Sequence, residues 1–341
     1  DLIITTKTGQ REQRTEVTYN GYVSFSTWAK KADFMTSSDI RAGKTTFNDE
    51  GYDTDWLKAI TRTAFTHNHN FNISGGNQKT TYSADFTYRK EEGVIIDTYN
   101  DEMKMNFDVS HWMLNDMLKV NFNMVKGLHK NSATNANDDG ASNIYRQAII
   151  HNPTESIWNE DGTYYENFQV NYYYNPVGMV KERKGEYDTE WTRMTGNVTL
   201  EPIKGWQTNL MLATCRSKAH DKGYYTSEYF SQKMENHTGY AYHSQNDSRT
   251  DNLEITSKYD TKFKNHRLDA LVGYSYQYNV NEGFNANNYD FQNDFFLYNN
   301  LGIGSALKKG KAGMGSYKND NTLVGFFGRV SYGYANKYNA L

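Results

Sequence analysis

Apolar and polar residues alternate with a period of two along almost every ordered stretch of this chain, the mark of β-strands with two unlike faces. Across residues 252–263, Leu253, Ile255, Tyr259 and Phe263 oppose Asn252, Glu254, Thr256, Lys258, Asp260 and Lys262. Next, Leu268, Ala270, Val272, Tyr274, Tyr276, Tyr278 and Val280 alternate with Asp269, Leu271, Gly273, Ser275, Gln277 and Asn279. The same parity runs through Val17 to Phe25, Tyr82 to Tyr88, Met103 to Val109, Leu118 to Met124, Met194 to Leu200, Trp206 to Leu212 and Val324 to Tyr334, with a weaker segment around His69, Phe71 and Ile73. That makes about ten strands, many longer than the ~5–6 residues usual in soluble sheets. One stretch, Asp53 to Ile60, opens on a capping Asp and predicts a short helix.

The connections are of two kinds. Tight turns fall at Gly76-Asn77-Gln78-Lys79, Leu114-Asn115-Asp116, Ile203-Lys204-Gly205 and Lys264-Asn265-His266. Long polar loops fall near residues 29–64, 130–190, 221–248 and 284–320, with a moderate link at Ile96 to Asp101. Long and short links alternate, so the long loops gather at one end of the strands and the turns at the other. That asymmetry predicts an all-β, antiparallel transmembrane β-barrel with long extracellular loops. A soluble up-and-down barrel with its apolar face inward, or a β-sandwich, also alternates, and a soluble or secreted carbohydrate- or peptide-binding module remains the alternative.

Composition narrows the choice. With 37 Lys+Arg against 40 Asp+Glu among 341 residues, the net charge of −3 excludes a generally basic nucleic-acid binder. Hydrophobic residues are only 37%, too few for two conventional cores, yet aromatics reach 15%, far from a disordered composition. Three prolines, Pro153, Pro176 and Pro202, leave long stretches free for unbroken strands, and the single Cys215 excludes an intramolecular disulfide framework. No run approaches the ~18 apolar residues of a transmembrane helix, so a membrane crossing has to be made by strands.

Several segments, taken in order, resemble one family, the SusC/RagA-like TonB-dependent outer-membrane transporters. Leu2-Ile3-Ile4-Thr5-Thr6-Lys7-Thr8-Gly9 resembles the "ITTKKG"-like last strand of that family's plug. Thr54-Asp55-Trp56, Arg62-Thr63-Ala64, His67-Asn68-His69-Asn70, Ser74-Gly75-Gly76-Asn77 and Tyr82 through Glu92-Gly93-Val94 resemble its first loop and early strands. Gly328-Arg329-Val330-Ser331-Tyr332 with Lys337-Tyr338 is similar to a mid-barrel strand. The resemblance implies that residues 1–10 end a plug domain and residues 11–341 form the amino-terminal part of a larger barrel of ~22 strands. The chain is then an internal piece of a longer protein. It further implies import of glycans or peptides across the outer membrane, a SusD-like surface lipoprotein as partner, and energy from TonB-ExbB-ExbD through a preceding segment.

Catalytic and cofactor motifs fail on spacing. There is no Gly-x-Ser-x-Gly elbow and no His-Glu-x-x-His, and Gly302, Gly304 and Gly310-Lys311 lack phosphate-loop spacing, with Ala312 where Ser or Thr is needed. Asn135-x-Asn137-x-Asp139-Gly140 opens like a calcium loop, but Arg146 stands where a bidentate Glu belongs. His67 and His69 share a face without a third ligand, which reads as interfacial aromatics. Neither enzyme activity nor a cofactor or metal is expected. Aromatic loading of the loops stands out instead: Trp158, Tyr164, Tyr165, Phe168, Tyr172, Tyr173 and Tyr174 in the 130–190 loop, and Tyr289, Phe291, Phe295, Phe296 and Tyr298 in the last. Rings with polar rims suit stacking on sugars or peptide side chains, and they equally suit packing of loop on loop. Trp158, Tyr164, Tyr165, Tyr172, Tyr173 and Tyr174 are the candidate substrate contacts.

Overall fold

A computed structural model describes residues 9–30, 33–132, 143–335 and 338–340. Most of the plug-like opening strand, the calcium-like run at Asn135 to Gly140, and Lys337 lie outside the described residues. The strands are β1 (Glu16–Ser26), β2 (Ala64–Gly76), β3 (Thr80–Glu92), β4 (Tyr99–Met113), β5 (Leu118–Ser132), β6 (Arg183–Ile203), β7 (Trp206–Tyr225), β8 (Tyr240–Phe263), β9 (His266–Tyr289), β10 (Gly313–Tyr334) and the three-residue β11 (Tyr338–Ala340). They form one antiparallel sheet in strict chain order, open between β1 and the far end. Ten of these strands are long, as the alternation predicts.

Turn chemistry sets the register. Asn77 closes the β2–β3 turn by accepting from the backbone N–H groups of Lys79 and Thr80, both at 2.9 Å. The β6–β7 turn needs glycine: Gly205 has φ +87°, and a Cβ there would stand 2.2 Å from the Asp260 carbonyl oxygen.

The two faces differ in exposure in the sense opposite to a soluble barrel. Val272 is 63% exposed, Phe326 81% and Leu212 52%, whereas Asp108, Ser110, Ser83 and Asp269 on the other face are buried. That polar face is cross-linked strand to strand. The Asn70 amide donates to Asp85 (2.9 Å) and Thr87 (2.8 Å), Asn121 to Asp108 (3.1 Å) and Ser110 (3.0 Å), and Asn279 to Asn321 (2.9 Å). Asp269 holds both Lys258 and Arg329 at 3.0 Å. A polar, shielded face and an apolar, exposed one define the inside and the lipid side of a membrane barrel, and the soluble reading fails on this point.

Register gives an independent check. Gly21, the centre of the apolar stretch Val17–Phe25 of β1, traces through His69, Tyr88, Met103, Leu128, Glu190, Lys218, Asp247 and Glu282 to Lys318 of β10. The apolar stretch of β10 is instead centred near Gly328. The belt therefore slips by about ten residues over nine pairings, which at ~3.3 Å per residue and ~4.8 Å per strand corresponds to strands inclined by roughly 35–40°. Membrane barrels tilt by the same amount.

Reading the alternation as the whole strand made the strands too short. The loops placed at residues 221–248 and 284–320 are shorter, because β7 runs to Tyr225, β8 starts at Tyr240, β9 runs to Tyr289 and β10 starts at Gly313. These 20- to 24-residue strands exceed the ~9–11 that span a bilayer. Their loop-side ends stand in water on both faces, so the alternation disappears although the strands continue. The helix expected from Asp53 is α2 (Trp56–Ala59), one of five short α-helices among the described residues, and its cap is Asp55, which accepts from the Lys58 N–H at 2.9 Å. The others are α1 (Ser37–Arg41), α3 (Ile144–Ile150), α4 (Pro176–Lys181) and α5 (Phe230–Glu235).

The face assignment is testable with one pair of variants in the complete membrane protein. Val272→Arg places a charge in the belt at a cost of about 2–4 kcal/mol near the midplane and should lower the folded, heat-modifiable fraction. Gln277→Arg, on the inner face, should assemble normally; equal behaviour of the two would invert the faces.

Candidate substrate-facing cluster

The loops are not loose. Trp56 and Leu57 of α2, Ile95, Ile144 and Ala148 of α3, Val177, Met179 and Val180 of α4, and Tyr229 and Phe230 at α5 form one buried apolar cluster with Tyr164 and Tyr174. Each loop alone is too short of apolar area to order itself, so the loops share a core.

Polar groups lock that core. The Trp56 indole N–H donates to the Asn152 carbonyl at 2.9 Å, and His151 lies between Trp56 and Tyr173, stacked on the Tyr173 ring at 3.9 Å. The Tyr173 hydroxyl donates to Glu155 at 2.5 Å and accepts from the Asn152 N–H at 2.8 Å. Burial holds the His151 imidazole down to about 4, so it packs as a neutral ring. Asn175 accepts from the N–H groups of Val177 and Gly178 to cap α4 and donates to the carbonyls of Ile157 and Tyr165, tying the helix to the loop before it.

The six candidate rings divide. Tyr164, Tyr173 and Tyr174 are buried at 6–8% exposure, with Tyr174 stacked on Phe230 at 4.0 Å, so their faces are occupied by packing. Tyr165 is partly covered. Trp158, 46% exposed, rests one face on Tyr164 at 4.3 Å and keeps the other free, and Tyr172, at positive φ, is 63% exposed. In the last loop Phe291 is buried against Tyr224, whose hydroxyl donates to Asp294 at 2.6 Å, while Phe295 and Phe296 are exposed. Among the described residues no group of three metal-ligating side chains exists; on the lipid side His67 and His69 pair with each other at 3.2 Å, and His69 also meets the Tyr19 hydroxyl at 2.8 Å.

A second aromatic group, of which the sequence marks only Tyr289, is assembled by the strand register. Tyr225, Tyr240 and Tyr289 are register partners on the inward parity of β7, β8 and β9, with centroids 5.7 Å apart for Tyr225 and Tyr240 and 4.5 Å for Tyr240 and Tyr289. Tyr242 lies flat over Gly223, where a Cβ would meet its ring at 2.5 Å, and its hydroxyl donates to Asp221 at 3.3 Å. The Arg183 guanidinium stands 5.6 Å from the Tyr225 ring centre. The result is a row of tyrosines with charged neighbours at the loop-side end of the inner face, Tyr225 stacked on Tyr229 of the loop core at 4.5 Å and Tyr289 against His237 at 4.7 Å. Its signal in the sequence is the pair Tyr240 and Tyr242 at a spacing of two, at the loop-side end of β8.

Such a sheet, polar inside, apolar outside and inclined, is the wall of a transmembrane β-barrel. No family model matches the chain. It is 26% identical over 292 residues to the TonB-dependent receptor P3 of Formosa agariphila, covering 84% of this chain and 28% of that protein. To the TonB-dependent receptor SusC of Bacteroides thetaiotaomicron it is 25% identical, with 99% of this chain and 35% of SusC covered. In fold it is similar to the RagAB peptide transporter (TM-score 0.74, 18% identity) over 97% of this chain and 42% of that one, and to RagAB in the closed-closed state (TM-score 0.73, 18% identity) over 96% and 41%. The chain thus spans about a third of the length of these curated relatives. It is SusC/RagA-like in sequence and in fold, and this likeness, with the exposed apolar face, places it in the outer membrane.

Two shielded carboxyls of the loop core, Glu155 and Glu166, make it pH-sensitive, both raised first of all by burial. Burial pushes Glu166 up to about 7, against the opposing pull of the Asn175 N–H at 3.0 Å and of Lys233. A raised carboxyl pKa means that its contribution to stability is complete below its unfolded value of 4.5 and is lost as pH rises through about 7. Loop proteolysis should therefore be faster at about pH 8 than at about pH 6, a range in which His151 is already mostly neutral. Glu166→Gln should reduce that dependence, leaving the part carried by Glu155; an unchanged profile would detach it from Glu166.

Proposed function

We propose that the complete protein imports oligosaccharides or peptides across the outer membrane, driven by TonB-ExbB-ExbD and working with a SusD-like surface lipoprotein over the loops. In this reading residues 1–10 are the last strand of a plug and residues 11–341 part of the barrel around it. The observation that carries it is the inner wall: a hydrogen-bonded polar face that ends, on the loop side, in tyrosines flanked by Arg183 and Asp221. Flat apolar rings beside hydrogen-bonding groups fit a wet, polar polymer such as a sugar chain or a peptide backbone with its side chains. The likeness to SusC along nearly the whole chain and to the RagAB peptide transporter in fold supports import as the activity and leaves both substrate classes in play.

Of the six candidate rings, Trp158 and Tyr172 have faces free to meet substrate or lid. Replacing both with Ala should reduce uptake of labelled oligosaccharide or peptide at least about fivefold at equal surface abundance, since each stacking ring contributes ~0.5–1.5 kcal/mol beyond its area. Tyr164→Ala, in contrast, should lower surface abundance by opening the loop core. Unchanged uptake in the double variant, with both substrates tested, would leave the two rings outside the transport path.

A further inference from the structure

The outer face carries a feature that transport does not explain. At the loop-side border of the apolar belt, just beyond Met124, Met194, Leu212 and Leu253, four cations face outward from neighbouring strands. Lys126, Arg216 and Arg249 lie in one register row, joined through Thr192 of β6, and Lys218 stands two residues farther along β7. Acids accompany them. Glu190 pairs with Lys126, Asp251 with Arg249 at 2.5 Å, and Asp247, the register partner of Lys218, accepts from Gln245 at 3.1 Å. Arg216 and Lys218 form no contact ion pair among the described residues, although Asp251 and Glu190 lie within electrostatic reach of them, Asp251 of Arg216 and Glu190 of Lys218. These two line a groove of about 460 Å³ with Glu190, Thr192, Thr214 and, at its belt end, Met194. A neighbouring groove of about 410 Å³ runs along the belt over Phe86, Met105, Phe107 and Met124 and ends at Lys126.

The opposite border is unlike this one. On the turn side the outward positions are Trp206, Tyr259, Phe263, His266, Tyr332 and Tyr334, with no Lys or Arg among the described strand residues of that face. Aromatic rings are the ordinary border of a membrane barrel, whereas unpaired cations set above apolar grooves complement an anionic headgroup whose chains lie on the belt.

We propose that this face binds a phosphate-bearing lipid of the outer leaflet, its phosphate between Arg216 and Lys218 and its acyl chains along Met194, Met124 and Phe107. The site rests on the outer-membrane reading and adds to it a specific headgroup chemistry. It would fix a lipid at one point on the circumference, beside the loops whose order the barrel mouth depends on.

The test uses the complete protein purified in detergent, native mass spectrometry, and two probes, diphosphorylated lipid A and the same lipid with its phosphates removed. The wild type should retain the phosphorylated form preferentially. Arg216→Ala/Lys218→Ala should weaken that retention by about thirtyfold, as expected for the loss of two cations at a membrane surface, without changing retention of the dephosphorylated form. Arg216→Lys/Lys218→Arg should restore it, which separates charge from folding. Equal retention of both lipids, or no loss in a double-Ala variant that still shows heat-modifiable folding, would overturn the site. Displacement of the lipid by millimolar inorganic phosphate alone would also overturn it, in favour of a free-anion site. Recovery of the protein in the soluble fraction of lysed cells would instead overturn the membrane reading beneath it.

Discussion

Hydrocarbon offers no partner to a backbone N–H or C=O, and every other feature of this molecule follows from that constraint. Strands that cross lipid have to satisfy each other in an unbroken antiparallel ladder, which is why one meander runs through the sheet in chain order. With the ladder fixed, side chains have two destinations only. The lipid side takes Ile255, Val272 and Phe326, and the other side takes amides, hydroxyls and the Lys258–Asp269–Arg329 triad. The inner face is held by short side-chain hydrogen bonds between adjacent strands rather than by apolar packing, so polar composition and stability are compatible here.

The same constraint explains what the sequence disclosed and what it hid. Strand faces and tight turns were legible because a period of two and residues such as Asn77 and Gly205 act locally. Strand length was not, because the alternation comes from lipid and ends at the border, while β8 and β9 continue above it for many residues. The short helices of the loops were equally hidden. α3 and α4 are six or seven residues long, marginal by propensity, and exist because Ile144, Val177 and Val180 meet Trp56 from a loop far away in sequence.

Ring burial shows the limit from another side. Tyr172, Tyr173 and Tyr174 are consecutive and chemically identical, yet Tyr172 points to solvent while Tyr173 and Tyr174 are buried. What distinguishes them is partners: His151, Asn152 and Glu155 for Tyr173, and Phe230 and the Gln147 amide oxygen for Tyr174. A run of tyrosines therefore identifies a segment that needs a core without telling which ring it spends there. The register row Tyr225, Tyr240 and Tyr289 needed the opposite correction: three residues scattered in sequence become one surface once the ladder is known.

The two ends of the wall divide the work. At the turn side the chain is tied down close to the sheet: the Arg11 guanidinium lies 4.1 Å from the centre of the Trp112 ring and makes two hydrogen bonds to Asp116, at 2.7 and 2.9 Å, holding the approach to β1 against the β4–β5 turn. An exposed pair of this kind contributes little to stability, but a planar, two-point contact defines direction well. At the loop side the strands extend past the apolar belt and carry a packed core of their own, so that mouth is built on rigid β-structure rather than on free loops. The tyrosines of the inner face are thus held in place on the strands at the mouth opposite the tight turns.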